Sequence, residues 1–215
     1  MSIITFWNDN KEQSGRTLTS VAVATMMAIE RNSKILLIST SVGDNTLKNC
    51  FWKDEGKNLF NSKNIGIGVE SGIDGLFKLV ASNKLTPSII TDYTKVIFKD
   101  RLEIITGNTE KISQEQEDQY IDLIRTANQY YDIVLVDLDK GLNTKTQEKI
   151  LKMSEVNVYV LSQRLESISR YSELLQKNQD LMKNRGIPVI GKYLSQYKYN
   201  SKNIARFLQQ KKELD

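Results

Sequence analysis

Short apolar runs alternate with longer amphipathic segments along most of this chain. An apolar run rich in strand-forming residues and bounded by polar residues is typical of a buried parallel strand. On this basis the pattern predicts strands over residues 3–7, 34–40, 102–107, 133–137, 156–161 and 187–194. The early Pro188 is compatible with the start of the last of these strands.

The segments between the strands favour helices. Apolar residues at helical spacing, as at Ile73, Leu76, Phe77 and Val80, place one apolar stripe on each segment. Helices are predicted over residues 15–31, 73–80, 87–97, 113–130, 143–153, 166–184 and 203–210. Residues 42–69 are polar and predict a surface excursion with one short helix. Alternating strands and helices predict a doubly wound α/β domain, with a mostly parallel sheet between two helical layers.

Composition narrows the chemistry that such a domain carries. The 215 residues suit one domain, and a net charge of +4 does not by itself demand a nucleic acid partner. The lone Cys50 is compatible with a reducing compartment. The sequence has no histidine, which excludes a Ser-His-Asp triad, a Cys-His pair and a His-ligated metal. No long apolar run or signal peptide is present, so a cytoplasmic location is predicted.

The segment from Asn10 to Leu18 lies between the first predicted strand and the first predicted helix. A phosphate-binding loop needs this context, because its backbone N–H groups and the helix N-terminus attract anions. Compared with the common pattern G-x-x-x-x-G-K-[ST], Gly15 matches the last glycine and Arg16 replaces the lysine. Thr17 supplies the hydroxyl that would bind Mg²⁺.

A second informative segment runs from Tyr131 to Leu142. Its apolar strand ends in Asp137, the arrangement known as a Walker B motif, at the edge of the sheet where ligands bind. This carboxylate would hold the water shell of Mg²⁺ opposite the hydroxyl of Thr17. For Asp139 the interpretation is a helix or loop cap.

Together these segments resemble the ParA/MinD superfamily, whose deviant phosphate loop has the pattern K-G-G-x-G-K-[ST]. Lys11 falls on the signature lysine, Glu12 and Gln13 on the two glycines, and Ser14 on the variable position. The segment from residue 131 to 142 agrees with the family pattern Y-D-h-h-h-h-D-x-x-x-G-h at every marked position. Residues 72–107 are most similar to the TadZ/CpaE-like branch, which positions pili.

The resemblance implies a fold like that of the P-loop NTPases, with ATP and Mg²⁺ as cofactors. It implies a nucleotide-binding loop of Lys11, Ser14, Gly15, Arg16, Thr17 and Leu18, and a metal site at Thr17 and Asp137. In the family, MgATP closes a homodimer, and hydrolysis reopens it. Lys11 is the candidate for the lysine that crosses to the partner's phosphates. The cycle positions plasmids, chromosomes, division sites, pili or secretion machinery through a protein partner.

Three departures from the family bear on activity. Glu12 and Gln13 add side chains where the backbone passes close to phosphate. Arg16 presents a planar guanidinium in place of the compact ammonium of lysine. The family has aspartates after the second strand, where this chain has Ser39, Thr40 and Ser41, although Asp44 is a possible substitute. We therefore expect at most a weak ATPase. The alternative is a scaffold that keeps the fold, has lost the nucleotide and acts through protein contacts.

The C-terminal segment leaves further questions open. In the family another strand and one or two helices usually follow, so we expect one domain over residues 1–215 without them, either as a short member or as a truncated form. The family's membrane-binding helix lies in that part, so we expect no membrane contact by this chain alone. The Lys-rich residues 202–212 are compatible with DNA contact, although a solvated helix face is favoured.

Overall fold

A seven-stranded sheet forms the centre of the molecule. The computed structural model describes residues 1–9, 13–42, 46–52, 72–108, 112–177 and 185–212, and for residues 210–212 it describes the backbone only. The strands lie in the order β3-β4-β2-β5-β1-β6-β7. Their bounds are β1 Ser2–Trp7, β2 Ile35–Ser39, β3 Lys95–Phe98, β4 Leu102–Ile105, β5 Ile133–Asp137, β6 Val156–Leu161 and β7 Gly186–Ile190. Strand β3 is antiparallel to β4, and the other neighbouring pairs are parallel.

Helices cover both faces of this sheet. The helices are α1 Arg16–Glu30, α2 Thr46–Phe51, α3 Ile73–Ala81, α4 Gln114–Ala127, α5 Thr144–Met153, α6 Leu165–Lys177 and α7 Ser201–Lys212. Buried side chains of α1 and α2 belong to one apolar cluster, and those of α3, α4, α5 and α6 to another. The predicted three-layer α/β/α fold with a mostly parallel sheet is therefore confirmed.

The central strands are apolar because both of their faces are covered. In β2, Ile35 and Leu37 pack with the α1 cluster, whereas Leu36 and Ile38 pack with the opposite cluster. All four side chains are fully buried. Alternation of side chains across a strand sends neighbouring residues to opposite faces, so an uninterrupted apolar run is what a central strand requires.

Local signals set several helix ends. Ser113 and Gln116 form a reciprocal capping box at the start of α4, and Asn143 caps α5 by accepting a bond from the amide of Thr146. The predicted helix over residues 166–184 is seen as α6, and residues 178–184 lie outside the described part of the chain. The short helix expected within residues 42–69 is α2, with residues 43–45 and 53–71 outside that part as well.

The helix predicted over residues 87–97 is wrong. A short 3-10 helix spans Ile89–Tyr93 and is followed by the edge strand β3. Asp100 adopts the left-handed conformation with φ of 61° and closes a tight turn that pairs β3 with β4. The hydroxyl of Thr94 also donates to Glu103 of β4 at 2.8 Å. These contacts with β4 are tertiary, so helical spacing alone did not indicate them.

Strand register brings the polar residues together at one edge of the sheet. Asp137, the last residue of β5, lies between Phe6 of β1 and Ser39 of β2. Trp7, at the end of β1, is paired with Tyr159 of β6. The carboxyl ends of these parallel strands therefore meet beside the N-terminus of α1, the place where open α/β sheets bind ligands.

Candidate phosphate-binding site

The turn between β1 and α1 is held by contacts on both of its sides. The side-chain amide of Asn8 donates to the hydroxyl of Ser14 at 2.7 Å, and both residues are buried. Gly15 has a φ of +86°, in the left-handed region that favours glycine. The requirement for glycine at position 15, inferred from the motif, therefore has a conformational cause.

The segment after β7 packs directly on this turn. A Cβ atom on Gly191 would lie 2.1 Å from the backbone oxygen of Ser14, so only glycine fits there without a shift. A Cβ on Gly15 would lie 3.0 Å from Cγ of Lys192, which itself has a φ of 51°. The side chain of Gln163 fixes the segment by accepting from the amide of Leu194 at 2.6 Å. The strand predicted to reach residue 194 therefore ends at Ile190.

The N-terminus of α1 suits an anion. Gly15 is its N-cap residue and offers no side-chain cap, and the first turn contains no acidic residue. The first amides of a helix lack partners within the helix, so they are available to an anion. Leu18 belongs to this turn, but its side chain is 54% exposed. Within the predicted loop, Leu18 would therefore contact an anion through its backbone amide.

Asp137 and Thr17 are in direct contact. The hydroxyl of Thr17 donates to Oδ2 of Asp137 at 2.7 Å, and the carboxylate is fully buried. These side chains are 120 residues apart in the chain and come together because β5 lies beside β1. The two residues predicted as metal-binding are therefore adjacent.

Arg16 does not lie free in the loop but bridges two carboxylates. Its Nε donates to Oδ1 of Asp137 at 2.6 Å, and a terminal nitrogen donates to Oδ2 of Asp139 at 2.9 Å. Burial disfavours the charge of Arg16, but the attraction of both carboxylates outweighs it and raises the pKa of this guanidinium. The two carboxylates therefore hold Arg16 in its charged form.

Asp139 is a site residue that the sequence interpretation missed. Its cap role is real, because Oδ1 accepts from the amide of Gly141 at 2.7 Å. The second oxygen, however, binds Arg16, a residue 123 positions earlier in the chain. A second aspartate two positions after the Walker B aspartate was the available signal, but its partner becomes apparent only from the sheet order.

The end of β2 supplies hydroxyl groups in place of carboxylates. Ser39 and Ser41 are buried and share a hydrogen bond of 2.9 Å, and the hydroxyl of Thr40 accepts from the amide of Asp139 at 2.8 Å. These side chains therefore stabilise the edge of the sheet. The signature lysine candidate Lys11, with Glu12, lies outside the described residues, as does Asp44, the possible substitute.

An aromatic cluster anchors the start of the loop. The phenol of Tyr159 donates to Asp9, and its ring packs edge-on against Trp7 with centroids 5.0 Å apart. Burial and then the Asp9 carboxylate raise the pKa of Tyr159, so the phenol stays protonated as a donor. This contact fixes the position of Asp9 and was not predicted by sequence periodicity.

The donors of the site fit a phosphate group better than a metal ion. Gly15, the uncapped helix and Thr17 form the kind of turn that cradles phosphate. Both carboxylate oxygens of Asp137 are already bonded, one of them to a cation, so the side chains as arranged do not fit Mg²⁺. Within the described ranges, no group of three or more acidic or Cys side chains is arranged to hold a metal.

Comparisons with known proteins define the class of fold. No protein-family model matches the sequence, and no curated protein sequence matches it either. Among solved structures, the chain is similar to a ParA family ATPase from Chlorobium tepidum, with a TM-score of 0.69 at 16% identity over 97% of this chain and 80% of that one. This similarity shows a shared fold.

Two further structures are similar to the same extent. The MinC:MinD cell division complex of Aquifex aeolicus gives a TM-score of 0.65 at 15% identity, covering 97% of this chain and 78% of that one. A McdA variant of Cyanothece in complex with ATP gives 0.64 at 12% identity, covering 100% of this chain and 79% of that one. The chain therefore has the ParA/MinD fold, which confirms the fold that the resemblance implied. Among the described residues, no helix is both long and apolar enough to cross a bilayer.

Proposed function

We propose that this chain is a ParA/MinD-like ATP-binding protein that acts as a positioning switch with weak or absent ATP hydrolysis. The observation that carries the proposal is the contact of 2.7 Å between the hydroxyl of Thr17 and the carboxylate of Asp137. It joins the N-terminus of α1 to the end of β5, directly after the left-handed Gly15. An ordinary βα turn has no need of this combination.

Similar structures support the proposed nucleotide binding and the proposed action through a protein partner. One of them is a complex with ATP, and another is a complex of two different proteins, MinC and MinD. As the sequence resemblance implies, nucleotide binding would control homodimer formation and a protein partner would respond to it. The cargo classes suggested by the resemblance are a plasmid, a chromosome, a pilus or secretion machinery.

Weak hydrolysis follows from the residues around the site. Phosphoryl transfer depends on positioned charges and an oriented water. Ser39, Thr40 and Ser41 offer no carboxylate, and their hydroxyls are engaged in structural hydrogen bonds. Asp137 is already paired with Arg16. We therefore expect this chain to release phosphate from ATP far more slowly than an ATPase with an intact phosphate loop.

Isothermal titration with a slowly hydrolysed ATP analogue and Mg²⁺, together with the mass in solution, tests the proposal. Micromolar binding with a shift to the mass of a dimer is expected. Thr17→Val should abolish both effects, whereas the matched control Thr17→Ser keeps the hydroxyl and should retain them. Lys11→Ala should keep the fold and lose the nucleotide-dependent dimer.

A second candidate function is a scaffold that keeps this fold without a nucleotide. It is favoured by the pairing of Arg16 with two carboxylates, because the cation that aligns with the lysine of a phosphate loop is then already bonded. A scaffold predicts no heat of binding and no change in mass. It also predicts that Lys11→Ala and Thr17→Val leave partner capture unchanged.

A further inference from the structure

Asp139 and Asp137 hold the guanidinium of Arg16 from two sides. The two contacts measure 2.6 and 2.9 Å, and the side chain of Arg16 is only 13% exposed. A planar guanidinium that donates to two carboxylates is fixed in direction as well as in charge. Arg16 is the residue that aligns with the lysine of an ordinary phosphate loop, so its commitment to carboxylates bears directly on phosphate binding.

Both carboxylates around Arg16 have a donor at each oxygen without any ligand. Asp137 accepts from Arg16 through one oxygen and from Thr17 through the other. Asp139 accepts from Arg16 through one oxygen and from the amide of Gly141 through the other. Each carboxylate oxygen has a donor, so a polyphosphate that takes over the two engaged nitrogens of Arg16 must break contacts that already exist.

Charge opposes the polyphosphate as well. One guanidinium faces two carboxylates, so these three side chains together carry a net charge of −1. Removing one carboxylate would make the group neutral. Of the two, Asp137 is fully buried and also binds Thr17, whereas the side chain of Asp139 is 30% exposed. Asp139 is therefore the carboxylate that can be neutralised with least damage to the fold.

We propose that Asp139 is a restraining residue, which holds Arg16 away from phosphate and thereby lowers the affinity of the loop for nucleotide polyphosphates. The inference rests on the proposed nucleotide binding. Asp139 acts through Arg16 and is a positioning residue. The polyphosphate competes with Asp139 for the same guanidinium, so affinity should rise when this carboxylate is removed.

The variant Asp139→Asn tests this restraint. Asparagine keeps an oxygen that accepts from the amide of Gly141 but loses the charge that holds Arg16. In the nucleotide-free protein, the variant lacks the charge-assisted hydrogen bond between Arg16 and Asp139. We therefore expect it to bind a slowly hydrolysed ATP analogue about tenfold more tightly. Asp122→Asn makes the same charge change at an exposed pair on α4 and should leave affinity unchanged.

Inorganic tripolyphosphate serves as a second probe, because it has no base or sugar. The same gain in affinity for tripolyphosphate would show that Asp139 acts on phosphate binding. A gain with the nucleotide alone would contradict a restraint on phosphate binding. If thermal unfolding shows that Asp139→Asn does not fold, Asp139→Ser offers a neutral residue that can still accept from the amide of Gly141.

The outcomes separate this inference from the proposed function. If the native chain binds and Asp139→Asn binds equally or more weakly, the restraint is wrong and nucleotide binding stands. Binding by the variant but not by the native chain would support the restraint and contradict a nucleotide switch in the native protein. No binding by either chain would overturn both proposals.

Discussion

Gly191 illustrates how a single small residue can position the site from another strand. It follows β7, and a Cβ atom built on it would meet the backbone oxygen of Ser14, in the turn between β1 and α1. Its amide donates to the backbone oxygen of Leu161 at 3.0 Å. The residue is therefore held on both sides by backbone, and a side chain there has no direction in which to move.

Gly191→Ala should consequently destabilise the protein. The added Cβ would lie 2.1 Å from a backbone oxygen, and overpacking of this kind typically costs about 1–3 kcal/mol. Gly141→Ala is a matched control, because its Cβ would meet only a side-chain oxygen of Asp139, at 2.8 Å. Urea unfolding of both variants measures the difference, and equal losses would contradict the close approach at Gly191.

Arg16 gives a second prediction at the scale of one residue. Arg16→Leu would leave the fully buried Asp137 without its cation, and an uncompensated buried charge costs about 3 kcal/mol or more. Arg16→Lys keeps the charge and should lose markedly less. The free energy of unfolding near pH 7 tests this difference. Similar losses in the two variants would show that the charge of Arg16 is not what stabilises Asp137.

At the scale of elements, a polar cluster joins β3, β4 and β5 at the edge of the sheet opposite the site. Glu103 of β4 is only 7% exposed. It accepts from the phenol of Tyr131, before β5, and from the hydroxyl of Thr94, before β3. The ammonium of Lys34 lies 3.6 Å from its other oxygen. These donors allow a carboxylate to be buried within the sheet.

Tyr131→Phe should weaken this junction. It removes a donor to a buried carboxylate, and hydrogen bonds to charged groups contribute about 1.5–3 kcal/mol. Tyr130→Phe is the control, because Tyr130 is 40% exposed and both aromatic rings would remain near Lys34. Chemical unfolding should separate the two variants by at least about 1 kcal/mol, and indistinguishable curves would contradict the role of the Tyr131 hydroxyl.

The elements also show where sequence patterns suffice. The central strands β2 and β5 were predictable, because burial on both faces leaves an uninterrupted apolar run. Strand β3 was not, because it lies at the edge of the sheet and exposes Val96 and Phe98, so its identity depends on pairing with β4. The motifs predicted Thr17 and Asp137 as neighbours. They did not predict the bridge from Arg16 to Asp139, which requires the strand order.

At the scale of the whole molecule, several tyrosines are buried within the layers between sheet and helices. Tyr120, Tyr131 and Tyr159 are at most 1% exposed, and burial is the main cause that raises the pKa of each phenol. In the unfolded chain these phenols ionise near pH 10. Above that pH the native state binds more protons than the unfolded state, so the free energy of unfolding falls as pH rises.

We therefore expect stability to decline above about pH 10, by about 1 kcal/mol per pH unit for each buried tyrosine. Urea unfolding at a series of pH values measures the decline, and tyrosinate absorbance follows ionisation. The buried phenols of Tyr120, Tyr131 and Tyr159 should titrate only with unfolding. Ionisation of Tyr120, Tyr131 and Tyr159 near pH 10 in a folded protein would contradict this packing.

In the proposed function, nucleotide phosphates bind at the turn between β1 and α1. Hydrogen exchange of the native chain, with and without a slowly hydrolysed ATP analogue and Mg²⁺, tests that claim most directly, because bound phosphate protects the amides that contact it. We predict slower exchange confined mainly to the peptide that covers residues 13–18, with a smaller effect next to Asp137. Unchanged exchange in that peptide at saturating analogue would contradict the account and favour the scaffold.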